Sequence, residues 1–177
     1  DSNYAAYNSP TFDQIMTVDG DSSDWVGGNA LNPSGYAMPG DIGGGMLITK
    51  TSTELVVGFD QASTATSDVY IYVDSAHAAG SDTGFNNVHT LPSAADYVIK
   101  VTSTSTDVYS YSGTAWVLDP SANAQSSEGT VLEVSAPLSS IGASGADSIG
   151  IVGVVQDIGT DTTVSYTHLR AHETHID

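Results

Sequence analysis

Val69-Tyr70-Ile71-Tyr72-Val73-Asp74 is the stretch that decides the fold. β-Branched and aromatic side chains in succession favour a pleated, extended backbone over a helix, where their χ1 freedom would be lost. A period of two places Val69, Ile71 and Val73 on one face and Tyr70 and Tyr72 on the other. Segments of similar character flank this run. Met46-Leu47-Ile48-Thr49 and Glu54-Leu55-Val56-Val57-Gly58-Phe59-Asp60 form a hairpin around a turn at 50–53. Residues 97–101 and 108–111 flank a turn at 103–107, and Ser112-Gly113 turns the chain into Ala115-Trp116-Val117-Leu118. Residues 131–135 and 149–156 are further strands, and Pro137 to Gly142 reads as one helical turn closed by glycine. Upstream, residues 14–18 read as a short strand leading into the acidic turn Asp19-Gly20-Asp21-Ser22-Ser23-Asp24 and the ring of Trp25. About eight short strands, with turns at close intervals and no long 3.6-residue period, specify an all-β, two-sheet antiparallel β-sandwich.

The remaining segments read as loops. Residues 26–45 are rich in Gly and Pro and carry Tyr36, residues 75–95 hold His77 and His89, and residues 120–129 are polar. Residues 1–12 form a polar N-terminal arm, and residues 13–163 form one sandwich domain.

Composition narrows the function classes. With 177 residues, 40% of them hydrophobic, a single domain with a substantial core is expected. The 21 acids face only Lys50, Lys100 and Arg170, for a net charge of −18. Almost nothing is available to neutralise phosphate, so nucleic acid is excluded as a partner and anionic membranes are repelled. No apolar run approaches the length of a membrane span, so no membrane insertion is expected. The absence of cysteine excludes disulfides and thiolate metal sites.

Residues 164–177 stand apart. Val164-Ser165-Tyr166-Thr167-His168-Leu169-Arg170-Ala171-His172-Glu173-Thr174 is what a transposase sequencing adapter encodes when translated in one frame. Residues 164–177 are therefore expected to be an adapter-derived tail, with the sandwich truncated at its C-terminus. The trio His168, His172 and His175 in this tail is accordingly not read as a metal site.

The order of motifs resembles the superfamily of family 9 carbohydrate-binding modules and DOMON-like β-sandwiches. The residues that carry the resemblance are Thr17-Val18-Asp19-Gly20 with Asp24-Trp25, the runs 54–59 and 69–74, Ala95-Asp96-Tyr97-Val98-Ile99, Trp116, Val131-Leu132-Glu133-Val134 with Pro137-Leu138, and Ile149-Gly150-Ile151. It spans about residues 14–157. The resemblance implies two packed antiparallel sheets of jelly-roll-like type, an extracellular or cell-surface location, frequent calcium sites and, in some members, sugar binding.

Candidate sites follow from residue type. Trp116, between the Gly113 turn and Val117, is a candidate platform for a sugar ring, with a packed sheet face as the alternative. Tyr36, Tyr70 and Tyr72 are further candidate platforms, although alternating tyrosines on a strand also suit a half-buried sheet face. Trp25 reads first as a plug beside the acidic turn. Calcium takes six to eight oxygen ligands. Asp19, Asp21 and Asp24 form one oxygen-rich set, with turn capping as the alternative. Asp74, Asp82, Asn86 and Asp96 form a second. No catalytic set emerges. Glu133 alternates with Leu132 and Val134, which suggests an ordinary outward carboxylate, and no serine nucleophile has supporting context. Two roles follow: a non-catalytic carbohydrate-binding-like module, calcium-stabilised, for a polysaccharide or glycan; or a structural subunit of a surface layer or filament, contacting neighbouring subunits through strands.

Overall fold

The computed structural model describes residues 16–25, 46–59, 62–75, 80–85, 90–145, 147, 149–159 and 163–170. Tyr36, Asn86, His77, His89 and the arm at residues 1–12 lie outside them. Among the described residues, twelve strands run in the order β1 (Met46–Lys50), β2 (Glu54–Phe59), β3 (Ser67–Asp74), β4 (Ser81–Thr83), β5 (Thr90–Ala95), β6 (Tyr97–Val101), β7 (Thr106–Tyr111), β8 (Trp116–Leu118), β9 (Gln125–Glu128), β10 (Leu132–Pro137), β11 (Gly150–Asp157) and β12 (Thr163–Arg170). A four-stranded sheet has the order β1-β2-β10-β9, a six-stranded sheet the order β12-β11-β3-β6-β7-β8, and β4 and β5 form a separate hairpin. Every pairing is antiparallel. The protein is an all-β sandwich.

The alternation along β3 explains the layering. Val69, Ile71 and Val73 face the four-stranded sheet, where they join Met46, Ile48, Leu55, Val57, Phe59, Leu132, Val134 and Ala136 in the main core. Tyr70 and Tyr72 face the other way into a second apolar cluster with Leu91, Ala95, Val98, Val152 and Val154. The hairpin β4–β5 covers that outer face. A strand buried on both sides explains why β3 carries apolar or aromatic residues without a break from Val69 to Val73.

Several expectations are corrected. Residues 16–18 form no strand; they run as irregular chain into a short 3-10 turn at Ser22–Asp24. The region read as the loop 75–95 contains β4 and β5, and the polar stretch 120–129 contains β9. The helical turn after Pro137 is present as a 3-10 turn, Leu138–Ile141, closed by Gly142 at φ 66°. Glu133 is not an outward carboxylate: it is 0% exposed. Its face of the four-stranded sheet is covered by residues 19–25, which bind it directly. Gly58 lies opposite Glu133 in the register of β2 and β10. A Cβ at Gly58 would stand 3.1 Å from Cζ2 of Trp25, so the missing side chain leaves room for the indole.

Thr163–Arg170, within the segment expected to be adapter-derived, pairs along β11 from Gly150 to Gln156, with a register shift between Val155 and Gln156. Main-chain pairing at a sheet edge tolerates many side-chain sequences, because the bonds are made by the backbone.

Candidate functional site

The outer face of the six-stranded sheet carries a cleft where β4 meets β7 and β8. An aromatic layer, part of it buried, underlies it. Tyr72, fully buried, stacks on Tyr70 with ring centroids 6.2 Å apart and meets Trp116 at 5.9 Å. Tyr111 lies 5.3 Å from Trp116 at an interplanar angle of 56°. Phe85 packs edge-on against Tyr109 at 4.7 Å. The register of β7 and β8 makes Tyr111 the direct cross-strand partner of Trp116, which brings the two rings together.

Hydrogen bonds fix the opposite wall. The Phe85 N–H donates to the Tyr72 hydroxyl oxygen at 2.9 Å. The Ser81 hydroxyl donates to the Thr83 carbonyl at 2.9 Å, and the Thr83 N–H donates back to the Ser81 hydroxyl oxygen at 3.0 Å. The Trp116 indole N–H donates to the same Thr83 carbonyl at 3.2 Å, tying β8 to β4. Between these walls lies a cavity of about 500 Å³ lined by Asp82, Thr83, Phe85, Tyr111, Thr114, Trp116 and the small residues Gly80, Ser81 and Ala115. That is the size of a pocket for a small organic ligand. Trp116 and Tyr111 are partly exposed, and Asp82, Thr83 and Thr114 are exposed.

Trp116, expected as a platform, therefore lines the cleft. Tyr70 and Tyr72 do not: the β4–β5 hairpin and Phe85 cover them, and a buried ring has no open face for a ligand. Tyr111 was not singled out from the sequence, although its place one hairpin before Trp116 is a usable signal. Asp82, expected as a metal ligand, lines the same cleft.

The acidic turn is built differently. Asp19 Oδ1 accepts the Asp21 N–H at 2.9 Å, Asp21 Oδ1 accepts the Ser23 N–H at 2.9 Å, and Asp24 Oδ2 accepts the Thr17 N–H at 2.8 Å. Each carboxylate caps a nearby amide, which is the turn-capping alternative. In the second set, Asp96 Oδ2 accepts the Ser75 N–H at 2.9 Å and Asp74 is buried. Among the described residues, no three acidic or histidine side chains converge as a group that could hold a metal ion.

Glu133 anchors the turn to the sandwich. Its Oε2 accepts the Asp19 N–H at 2.9 Å and the Gly20 N–H at 2.7 Å, and its Oε1 accepts the Trp25 indole N–H at 2.7 Å. The Gly20 carbonyl accepts the Thr130 N–H at 2.8 Å, just before β10. With three N–H donors on it, Glu133 is a structural acceptor.

Comparison with protein-family models, curated proteins and solved structures finds no match to this chain. Among the described residues, no helix is long and apolar enough to cross a membrane.

Proposed function

We propose that this chain is a non-catalytic carbohydrate-binding-like module of a secreted or cell-surface protein, and that the cleft between β4 and β8 takes the sugar. The observation that carries this reading is the partly exposed pair Tyr111 and Trp116 in a cleft with the polar groups of Asp82, Thr83 and Thr114. The C–H face of a sugar ring packs on aromatic surface, while hydroxyls and carboxylates at the rim bond its hydroxyls. A binding role is favoured over hydrolysis because Asp82 is the single carboxylate among the described residues lining the cleft, whereas glycoside hydrolysis commonly uses two flanking the bond. Isothermal calorimetry against a panel of soluble glycans tests the reading, run once in calcium and once in chelator so that a metal requirement shows as a difference between arms. Binding that Trp116→Ala abolishes is expected. No heat with any glycan in either arm would overturn it.

A second reading, a structural subunit that meets its neighbours through strands, draws on β8. This strand ends the six-stranded sheet, and its Val117 and Leu118 are 49% and 48% exposed. Exposed apolar residues on a terminal strand invite pairing with another chain. Sedimentation that shows assemblies dissolving on Val117→Lys would support it, and a monomer at all concentrations would count against it.

A further inference from the structure

The charge around the cleft narrows the class of glycan it can take; the inference rests on the proposed sugar-binding reading. The chain has three Lys and Arg side chains in all. Lys50 belongs to β1 of the other sheet, where its Nζ donates to the carbonyls of Gly145, at 2.9 Å, and Asp147. Lys100 Nζ lies over the Phe85 ring, 5.2 Å from its centroid, and pairs with Asp68 at 3.8 Å. Arg170 lies in β12, at the opposite edge of the six-stranded sheet from β8. Five strand spacings separate those edges, about 24 Å at ~4.8 Å each. No lysine or arginine is among the described residues that line the cleft, and Lys100, next to its Phe85 wall, is paired with Asp68. A uronate, sulfate or phosphate there would face Asp82 in a protein of net charge −18.

The same features suit a cation. Aromatic faces attract ammonium groups through the ring quadrupole, and Trp does so best. Asp82 is exposed on the cleft wall, where its Oδ1 accepts the Thr83 hydroxyl at 3.5 Å. We propose that the cleft selects a glycan whose rings carry protonated primary amines. Trp116 and Tyr111 take the apolar face of the sugar, and Asp82 accepts the ammonium N–H. The acidic surface draws such a polycation in, and the cleft decides how its rings are held.

Calorimetry with three oligosaccharides of equal length tests this: a glucosamine oligomer, its N-acetylated counterpart and a glucose oligomer, in mildly acidic buffer that keeps the amines charged, at low salt and again at about 0.15 M, where the screening length is about 8 Å. The amine oligomer should bind at least about fivefold more tightly than the other two, the sum of an exposed ion pair and a cation–π contact. Asp82→Asn should remove the ion-pair share of that preference while leaving the affinity of the neutral pair unchanged. Its melting temperature shows whether the fold is intact. Equal binding of all three by the native protein would overturn the inference while leaving the sugar-binding reading standing. A preference that survives Asp82→Asn undiminished and vanishes at the higher salt would overturn it too, because overall charge would then be its source. Failure of all three to bind would overturn the inference, and the sugar-binding reading would fall with it only if the wider glycan panel also gave no heat.

Discussion

The indole N–H of Trp25 donates to Oε1 of Glu133 at 2.7 Å, across 108 positions of sequence. Trp25 reaches that carboxylate by lying over Gly58, which is the residue paired with Glu133 in the neighbouring strand. A missing side chain on β2 and an acceptor on β10 thus form one receptor for one ring. Replacing Glu133 by Gln keeps the shape and puts an NH₂ donor where N–H groups already converge. Stability should fall by about 1–3 kcal/mol, the range for leaving buried donors unsatisfied. Urea unfolding followed by Trp25 fluorescence measures this, and an unchanged midpoint would show that the three bonds contribute nothing net.

The turn that delivers Trp25 depends on Gly20. Its φ is 82°, and a Cβ there would stand 2.6 Å from the Gly129 nitrogen, backbone that cannot swing aside. Gly113 shares the left-handed conformation, at φ 93°, but a Cβ would meet nothing within 4 Å. The two substitutions to Ala therefore separate conformational cost from collision. Gly113→Ala should cost about 1 kcal/mol, the backbone contribution alone. Gly20→Ala should cost distinctly more. Equal shifts in thermal midpoint would contradict the close approach of residues 20 and 129.

What was legible in the sequence was whatever a strand shows by itself. Val69, Ile71 and Val73 alternate with Tyr70 and Tyr72, and the two sets face two different clusters. Ser81-Asp82-Thr83 and Gln125-Ser126-Ser127-Glu128 show no apolar alternation, because each is a strand only by virtue of a partner. The alternation around Leu132 and Val134 placed Glu133 on the face away from the core correctly. That face is closed by residues over a hundred positions upstream, which no local pattern records. The cleft was half legible for the same reason. Trp116 stood out by type, while Asp82 became its neighbour only through the docking of β4 against β8.

Asp21 tests whether the acidic turn is a cap or a cation site. Its Oδ1 satisfies the Ser23 N–H at the start of the 3-10 turn, and Asp19 does the same for Asp21. A cap contributes whether or not a metal is present. Asp21→Ala should therefore lower stability by about 1 kcal/mol, equally in calcium and in chelator. A loss confined to the calcium arm would assign the turn to metal binding instead.

At alkaline pH the buried Lys50 and the partly buried Tyr109 pull in opposite directions. Burial lowers the pKa of Lys50 below the ordinary lysine range, and the nearby charge of Asp147 offsets part of this. Between that lowered value and the ordinary one, the unfolded chain holds a proton the folded chain has released. Stability therefore rises with pH across the window, as the cost of burying the ammonium is shed. Tyr109 runs the other way. Burial and the charge of Asp107 raise its pKa, so the unfolded chain ionises first and stability falls as pH climbs from the ordinary tyrosine value toward the raised one. Native protein should show a shallow alkaline profile in which the two contributions oppose each other. Tyr109→Phe should expose the Lys50 rise, and Lys50→Met should remove it, leaving only the fall. Denaturant midpoints measured in steps from neutral pH upward check this. A Tyr109→Phe profile that does not rise would show that the Lys50 ammonium is no worse off in the fold than in water.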